Sequence, residues 1–446
     1  MSTPRTRAGE SVSKAAFGAT LTDQGRGLYV GLELLALLRG SLDASGDVLP
    51  RPSATPIKIL RRSHDFARRL MADKCELADV ELKSLGDRDT YETLRALYTG
   101  LRVPIPGRRK RPDWLGEHFM PSVGELVHYD AAWRAKRKKD KDLPTEKRVS
   151  IERYTYRGAG GLAHKVLRVD PDAARWGRVR DGLRALVADS ETPLGRLSQS
   201  LLVRDQAEPD EFEEMREHEA LVQETRWTEG LRSGIERIVA RPIPPAKKAE
   251  AVIIWSAYCV ARHQLERAAT IVDEPEPHLP VDMGSVAGPI RRRSSEAHER
   301  ARSLIVRALE GTAGHIAPEI MMPGSSKKWR DQCRNFFSGT LGSIGCLNAI
   351  TGKRHFTFRL EFLETMVYAT LGTKEEIQFE RFCRKILFER QGLVVDAASA
   401  GQSSVCKAMN RSAFNDNENR LVDRLETLGL LHRFSDQTRM VSTEVW

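Results

Sequence analysis

Apolar positions recur at helical spacing along most of the chain, and the longest apolar stretch, Ala251–Ala261, is interrupted only by Ser256. A bilayer span needs about 20 such residues, so this run predicts a buried helix within Pro245–Val272. Between Gly25 and Leu38 the positions Leu28, Val30, Leu32, Leu34, Leu35, Leu37 and Leu38 predict a second buried helix, with Gly40 as its stop. Helical patterns follow over Ile57–Ala72, Leu77–Leu85 and Thr90–Leu101, then Pro171–Ala188, Leu194–Val203, Glu208–Ala240 and Ser294–Leu309. Closer to the C-terminus come Lys327–Phe337, Phe358–Ala369 and Lys374–Glu389, with turns expected across the Gly-rich stretch Gly339–Gly352.

The chain ends in a recognisable order. Leu421, Leu425 and Leu428 form a stripe on a helix from Glu418, and Leu430–Phe434 and Arg439–Thr443 flank the turn Ser435-Asp436-Gln437-Thr438. A helix followed by a short hairpin is the sequence pattern of a winged helix. The expected fold is therefore mainly α: a multi-domain helical protein with a C-terminal winged-helix-like module and a basic, partly irregular central segment. Proline breaks divide it into a flexible arm over 1–23, an N-terminal helical domain over 24–103, the basic aromatic-rich segment 104–170, a helical domain over 171–280, a basic helical region over 281–373 and the winged-helix-like module 374–446. A length of 446 residues suits several domains, because single cores seldom grow beyond roughly 250–300 residues.

Charge sharpens this picture. Lys and Arg number 71 against 61 Asp and Glu, a formal +10. Within 101–170 the count is 17 against 9, so +8 of that surplus lies in one stretch. Here Arg108, Arg109, Lys110, Arg111, Arg134, Lys136, Arg137, Lys138 and Lys139 alternate with Trp114, Phe119, Tyr129, Trp133, Tyr154 and Tyr156. Cations neutralise phosphates and aromatic faces accept unstacked bases, so DNA is the expected partner; the same charge in a solvated loop would serve solubility alone.

A second basic cluster comprises Lys327, Lys328, Arg330, Lys353 and Arg354 around Phe336 and Phe337, among glycines that let a backbone approach phosphate. In the C-terminal module Arg433 and Arg439 are the candidate wing contacts, with Lys407 and Arg411 before the helix, while Arg291-Arg292-Arg293 makes a similar cluster upstream. Asp416, Glu418, Asp423 and Glu426 against Arg420 and Arg424 suit a protein-docking helix as well as a groove-binding one.

No catalytic motif emerges. Gly158-Ala159-Gly160-Gly161 lacks the Gly-Lys-Ser/Thr of a phosphate loop and is expected to be a hinge. Asp79-Val80-Glu81-Leu82-Lys83 spells an acid and acid-x-Lys pair, but on a helical pattern rather than a strand beside a metal. Cys333, Cys346 and His355 lack the close pairs and fourth ligand of a zinc site, and the six cysteines are scattered singly. No catalytic residue, metal or cofactor is expected. Met1–Gly9 leads into no apolar stretch of signal-peptide type, so a cytoplasmic protein without membrane contact is expected.

Trp329, Phe336, Phe337, Gly342, Gly345, Asn348, Gly352, Leu363-Glu364-Thr365, Phe379–Phe382, Asn417, Leu421, Leu425, Gly429-Leu430-Leu431 and Ser435-Asp436 together resemble the ends of accessory proteins encoded in prokaryotic anti-phage defence islands. That resemblance implies a component working beside other subunits of the same system, such as a methyltransferase, ATPase or nuclease. The expectation is a non-enzymatic DNA-binding or scaffolding subunit of a bacterial multi-protein system; a nuclease with an unrecognised site and a pure interaction adaptor are the alternatives.

Overall fold

The computed structural model describes residues 4–23, 26–52, 158–187, 222–284, 288–323, 325, 327–348, 353–434 and 438–443, with short strands between 58 and 213 and the helical residues Asp89, Glu92, Thr93 and Ala96. The fold is mainly helical, and no described helix is long and apolar enough to cross a membrane. Two compact units are present: Met1–Gly31, Val222–Pro242 and Ala251–Trp446 form the first, Leu32–Leu221 and Ile243–Glu250 the second.

Helices α1 (Pro4–Phe17) and α2 (Leu28–Ser45) open the chain. The first replaces the expected arm, because Val12, Ala16 and Phe17 share one face and are buried. The second runs through Gly40 and ends where Gly46 adopts φ +74°, the left-handed conformation that stops a helix at little cost to glycine.

In the second unit, α3 (Ala159–Arg168) and α4 (Ala173–Val187) bury Leu162, Val166, Val179 and Leu183. The expected hinge at Gly158 is instead the N-cap of α3, at φ 106°. Buried Glu33 accepts hydrogen bonds there from Gly158 N (3.0 Å) and Gly161 N (3.3 Å), placing a carboxylate on the positive end of the helix. Strand β1 (Lys58–Arg61) pairs antiparallel with β6 (Asp210–Glu213), so neither segment continues the helices predicted over 57–72 and 208–240. Two further two-stranded pairs are β2 (Arg102–Val103) with β3 (His118–Phe119), and β4 (Ala131–Trp133) with β5 (Val149–Ile151). The patterns over 77–85 and 194–203 lie outside the described residues.

The first unit is built on α5 (Arg226–Ala240) and α6 (Pro245–Val272). A capping box starts α5: Thr225 Oγ1 accepts from Trp227 N and Thr228 N, and Thr228 Oγ1 accepts from Thr225 N. The apolar run of α6 is buried as expected, and Trp255 reaches across to donate to Gly230 O at 2.9 Å. A Cβ on Gly234 would lie 2.0 Å from the Trp255 indole nitrogen, so glycine there makes room for the ring. Tyr258 then joins Trp227 and Phe362 edge to face at 5.4 and 5.1 Å.

Strand β7 (Leu279–Pro280) leads to α7 (Gly288–Ile316) and α8 (Lys328–Ser343). The latter passes through Gly339 and Gly342, where turns were expected, because Gly339 faces the Arg26 side chain so closely that a Cβ would sit 2.1 Å from Arg26 Cδ. After α9 (Leu360–Thr370) comes β8 (Glu376–Gln378), and Phe379–Arg381 (α10) runs on into a π-helix over Phe382–Arg390. Strand β9 (Leu393–Val394), α11 (Ala397–Gln402), α12 (Ser412–Thr427), β10 (Leu431–Arg433) and β11 (Arg439–Ser442) complete the chain. The order in the last sheet is β10-β11-β8, all antiparallel, with Val441 opposite both Leu431 and Ile377. Strand β9 pairs in parallel with β7.

Candidate nucleic-acid interface

Asn417 ties α12 to the rest of its unit. Its buried amide accepts from Met283 N (2.7 Å) and donates to Val281 O (3.0 Å) and Val395 O (2.8 Å), so one side chain joins the segments after β7 and β9 to this helix. Arg424, two turns on, donates to Met283 O (3.1 Å) and to Phe358 O. The helix is thereby fixed in position and azimuth. Ser412, Asn415, Asp416, Asn419, Asp423 and Thr427 are left exposed, and Phe414, Asn417, Leu421, Val422 and Leu425 are buried.

A small core organises the surface around the start of α12. Ile290, in the first turn of α7, packs with Phe388, Val394, Ala400, Cys406 and Phe414. Ile290 thus shares one cluster with residues more than a hundred positions later, and several cations stand next to its members in the chain: Arg291, Arg292 and Arg293 after Ile290, Lys407 after Cys406, and Arg411 at the N-cap of α12. Burial pushes the Cys406 thiol up to about 11, while Ser403 and the Arg293 charge act the other way, which places Arg293 beside the α11–α12 connection. Arg291 is neutralised by Asp282 (2.7 Å), and Arg293 is paired with Glu296 (2.7 Å). Arg292, Lys407 and Arg411 are exposed, and no carboxylate partner meets them among the described residues.

The cations proposed from sequence divide into three groups. Arg108, Arg109, Lys110, Arg111, Arg134, Lys136, Arg137, Lys138 and Lys139 lie outside the described residues. Lys327, Lys328, Lys353 and Arg354 are exposed around α8 and the segment before α9, and the pKa of Arg354 is lowered by partial burial and then by the Arg302 and Arg26 charges. The remaining three are neutralised. Arg330 pairs with Glu310, Arg433 with Glu426, and Arg439 with both Glu380 and Glu418 while its guanidinium lies 4.5 Å from the Phe379 ring centre. The expected wing contacts are therefore tied to carboxylates. From sequence, Lys407 and Arg411 are candidates of the C-terminal module and Arg291–Arg293 a separate, weaker cluster; the core around Ile290 joins the two chain segments that carry them.

No protein-family model, no curated protein and no solved structure matches the chain.

Its function has to be argued from its own chemistry. Among the described residues no group of three His, Cys, Asp or Glu side chains could hold a metal ion. Cys333 and Cys346 are buried, their thiols pushed up to about 12 by burial, and both are poor nucleophiles in that state. His298 accepts from or donates to Ser338 Oγ at 2.8 Å and lies 3.4 Å from Glu299, a serine–histidine–acid order, yet Ser338 and His298 are both buried. That geometry cross-links α7 and α8. The acid-x-Lys stretch Asp79–Lys83 lies outside the described residues.

Proposed function

We propose that the protein is a non-enzymatic DNA-binding subunit of a bacterial multi-protein system, cytoplasmic, and that its C-terminal part is a winged-helix module whose contact face is the start of α12. The observation that carries this is the combination of strand order with charge placement. A winged helix pairs the strand after its first helix with the last strand of the hairpin that follows its third helix; β8, β11 and β10 are ordered that way around α9, the π-helix and α12. Such modules present the N-terminal turns of the third helix to the major groove. Here those turns carry Arg411 as N-cap and exposed Ser412, Asn415, Asp416 and Asn419, with Asp416 paired to Arg420; exposed Lys407 precedes them in the chain, and exposed Arg292 is grouped with them because Ile290 packs with Phe414. Arginine and lysine supply phosphate contact, and asparagine amides suit adenine edges. The sequence resemblance of residues 329–436 to defence-island accessory proteins favours a role beside other subunits, with anti-phage defence as the setting.

Fluorescence anisotropy with labelled duplex DNA across a salt series tests this. Each neutralised phosphate contributes about 0.9 to the slope of log affinity against log salt, so Arg292→Ala/Lys407→Ala/Arg411→Ala should flatten the slope by roughly 2 to 3. An unchanged slope, or retention that ignores salt in the parent protein, rejects the assignment of the face.

A second reading, a protein-docking adaptor, is favoured by the neutralised wing. Arg433 and Arg439 are held by Glu426, Glu380 and Glu418, and α12 exposes Asp416 near its start and Asp423 further on. Capture of a subunit encoded beside this protein by the full chain, without DNA retention, would select it.

A further inference from the structure

The segment after β7 and the segment before α9 meet the first turns of α7 around one buried carboxylate. Asp282 N donates to Phe356 O at 2.9 Å, and Ser294 Oγ on α7 accepts from Phe356 N at 2.7 Å. His355, one residue earlier, is thereby held beside Asp282, and Asn348 Oδ1 fixes its backbone by accepting from His355 N at 2.6 Å. The Asp282 side chain is fully buried. Its Oδ1 accepts from Gly284 N at 3.0 Å, while Oδ2 accepts from Arg291 Nε at 2.7 Å and lies 3.7 Å from His355 Nε2. One oxygen thus faces two side chains, of which only the arginine is permanently charged.

The state of the imidazole decides how that oxygen is shared. His355 Nδ1 lies 3.4 Å from the Lys353 carbonyl, an acceptor, so the neutral ring carries its proton on Nδ1 and turns the Nε2 lone pair toward Asp282. A lone pair facing a carboxylate gains nothing, which fits the 3.7 Å gap. A proton on Nε2 turns the same two atoms into a charge-assisted donor and acceptor, which close to about 2.7–2.9 Å. Burial holds His355 below the ordinary histidine range, the Lys353 carbonyl and then Asp282 act the other way, and the Arg291 charge adds to the lowering. The charged groups that face the ring are therefore Asp282 after β7 and Arg291 on α7. Arg424 of α12 stands behind Asp282, donating to Met283 O at 3.1 Å and to Phe358 O. The His355 side chain is 14% exposed, enough for a proton to arrive from solvent.

Of the three groups, Arg291 is the one free to swing away. Its side chain is 52% exposed and it follows Ile290 in the first turn of α7, whereas Asp282 is buried and the His355 backbone is pinned on both sides. We propose that His355 is a proton-operated clasp: on taking a proton at Nε2 it engages Asp282, and Arg291 is released at the exposed start of α7 as a cation that a phosphate can bind. No covalent bond other than N–H changes; the proton comes from water, and the trio passes from neutral to a single positive charge. The clasp needs no ligand to operate, while its consequence for binding rests on the DNA reading given above.

NMR titration of the full-length protein with isotope-labelled histidine tests the clasp, the His355 ring signal being identified by its loss in His355→Gln. The Asp282 charge favours the protonated ring and the Arg291 charge opposes it, so the His355 midpoint should fall in Asp282→Asn and rise in Arg291→Ala. The second variant trims an exposed side chain and decides the matter if the first does not fold. Duplex retention followed from about pH 8 to about pH 5 supplies the other arm. There the slope of log affinity against log salt should steepen by about 0.9, one further phosphate, with the midpoint of the ring, and should stay constant in His355→Gln. A protein that retains no duplex at any pH rejects the DNA assignment, and the ring midpoints still decide the clasp. A His355 midpoint that neither substitution moves, or a salt slope in the DNA-bound parent protein that ignores the ring titration, overturns the proposal.

Discussion

Replacing Asn417 with alanine removes three buried hydrogen bonds at once: from Met283 N at 2.7 Å, to Val281 O at 3.0 Å and to Val395 O at 2.8 Å. All three partners are backbone groups that water reaches poorly, because Val281, Met283 and Val395 are buried. Each unsatisfied group costs about 1–3 kcal/mol, so after partial relaxation the loss should be about 3–6 kcal/mol. That is a large share of the roughly 5–15 kcal/mol that holds a domain folded. Asn417→Leu separates the two contributions, since leucine fills the space yet leaves the same three groups unpaired. If hydrogen bonding dominates, the two variants should lie within about 1 kcal/mol of each other; if the void dominates, alanine should be worse by roughly 2 kcal/mol or more. Urea unfolding followed by tryptophan fluorescence gives the free energies, and amide hydrogen exchange at Met283 gives a local readout that should lose protection in both variants. A loss below about 1 kcal/mol in Asn417→Ala would refute the view that this amide fastens α12 to the β7 and β9 segments.

Three further outcomes follow from local geometry. In Gly31→Ala the new methyl would lie 2.3 Å from Ile253 Cα, against backbone that cannot swing aside, so thermal stability should fall by about 1–3 kcal/mol or more; an unchanged melting temperature would show that α2 and α6 are not packed this closely. Gly46→Ala meets nothing within 4 Å, and its cost should be only the left-handed strain at φ +74°, about 1 kcal/mol, so a larger loss would point to contacts outside this geometry. Burial lowers His263 from 6.5 to about 4 and also lowers His298, so the unfolded chain takes up protons near pH 6.5 that the fold still refuses. Stability is therefore full above pH 6.5 and falls as pH drops toward 4, by about 1.4 kcal/mol per pH unit for each histidine; equal melting temperatures at pH 7 and 5 would contradict it.

What the sequence revealed, and what it hid, follows the range over which each feature is determined. The α6 helix was legible because Ala251–Ala261 is apolar but for Ser256, and the β10–β11 hairpin because Leu430–Phe434 and Arg439–Thr443 flank a polar run. Gly339 and Gly342 misled because glycine usually disfavours a helix interior by about 1 kcal/mol relative to alanine, and nothing local announces that the Arg26 side chain needs the space. Arg262 looks from sequence like one more surface charge on a helix; its burial depends on Glu276 and the Gln391 carbonyl, neither of which local periodicity can supply. Charge counting failed in the opposite direction at the wing. Arg433 and Arg439 stood out as cations, but Glu426 lies on the preceding helix and Glu380 across the sheet, so folding cancels both. The same folding packs Ile290 against Cys406 and Phe414, and so brings the start of α7 to the segment that carries Lys407 and Arg411. A cationic face is thus a property of packing: local charge density names the residues available, and the small apolar core beneath them decides which keep a charge that a phosphate can use.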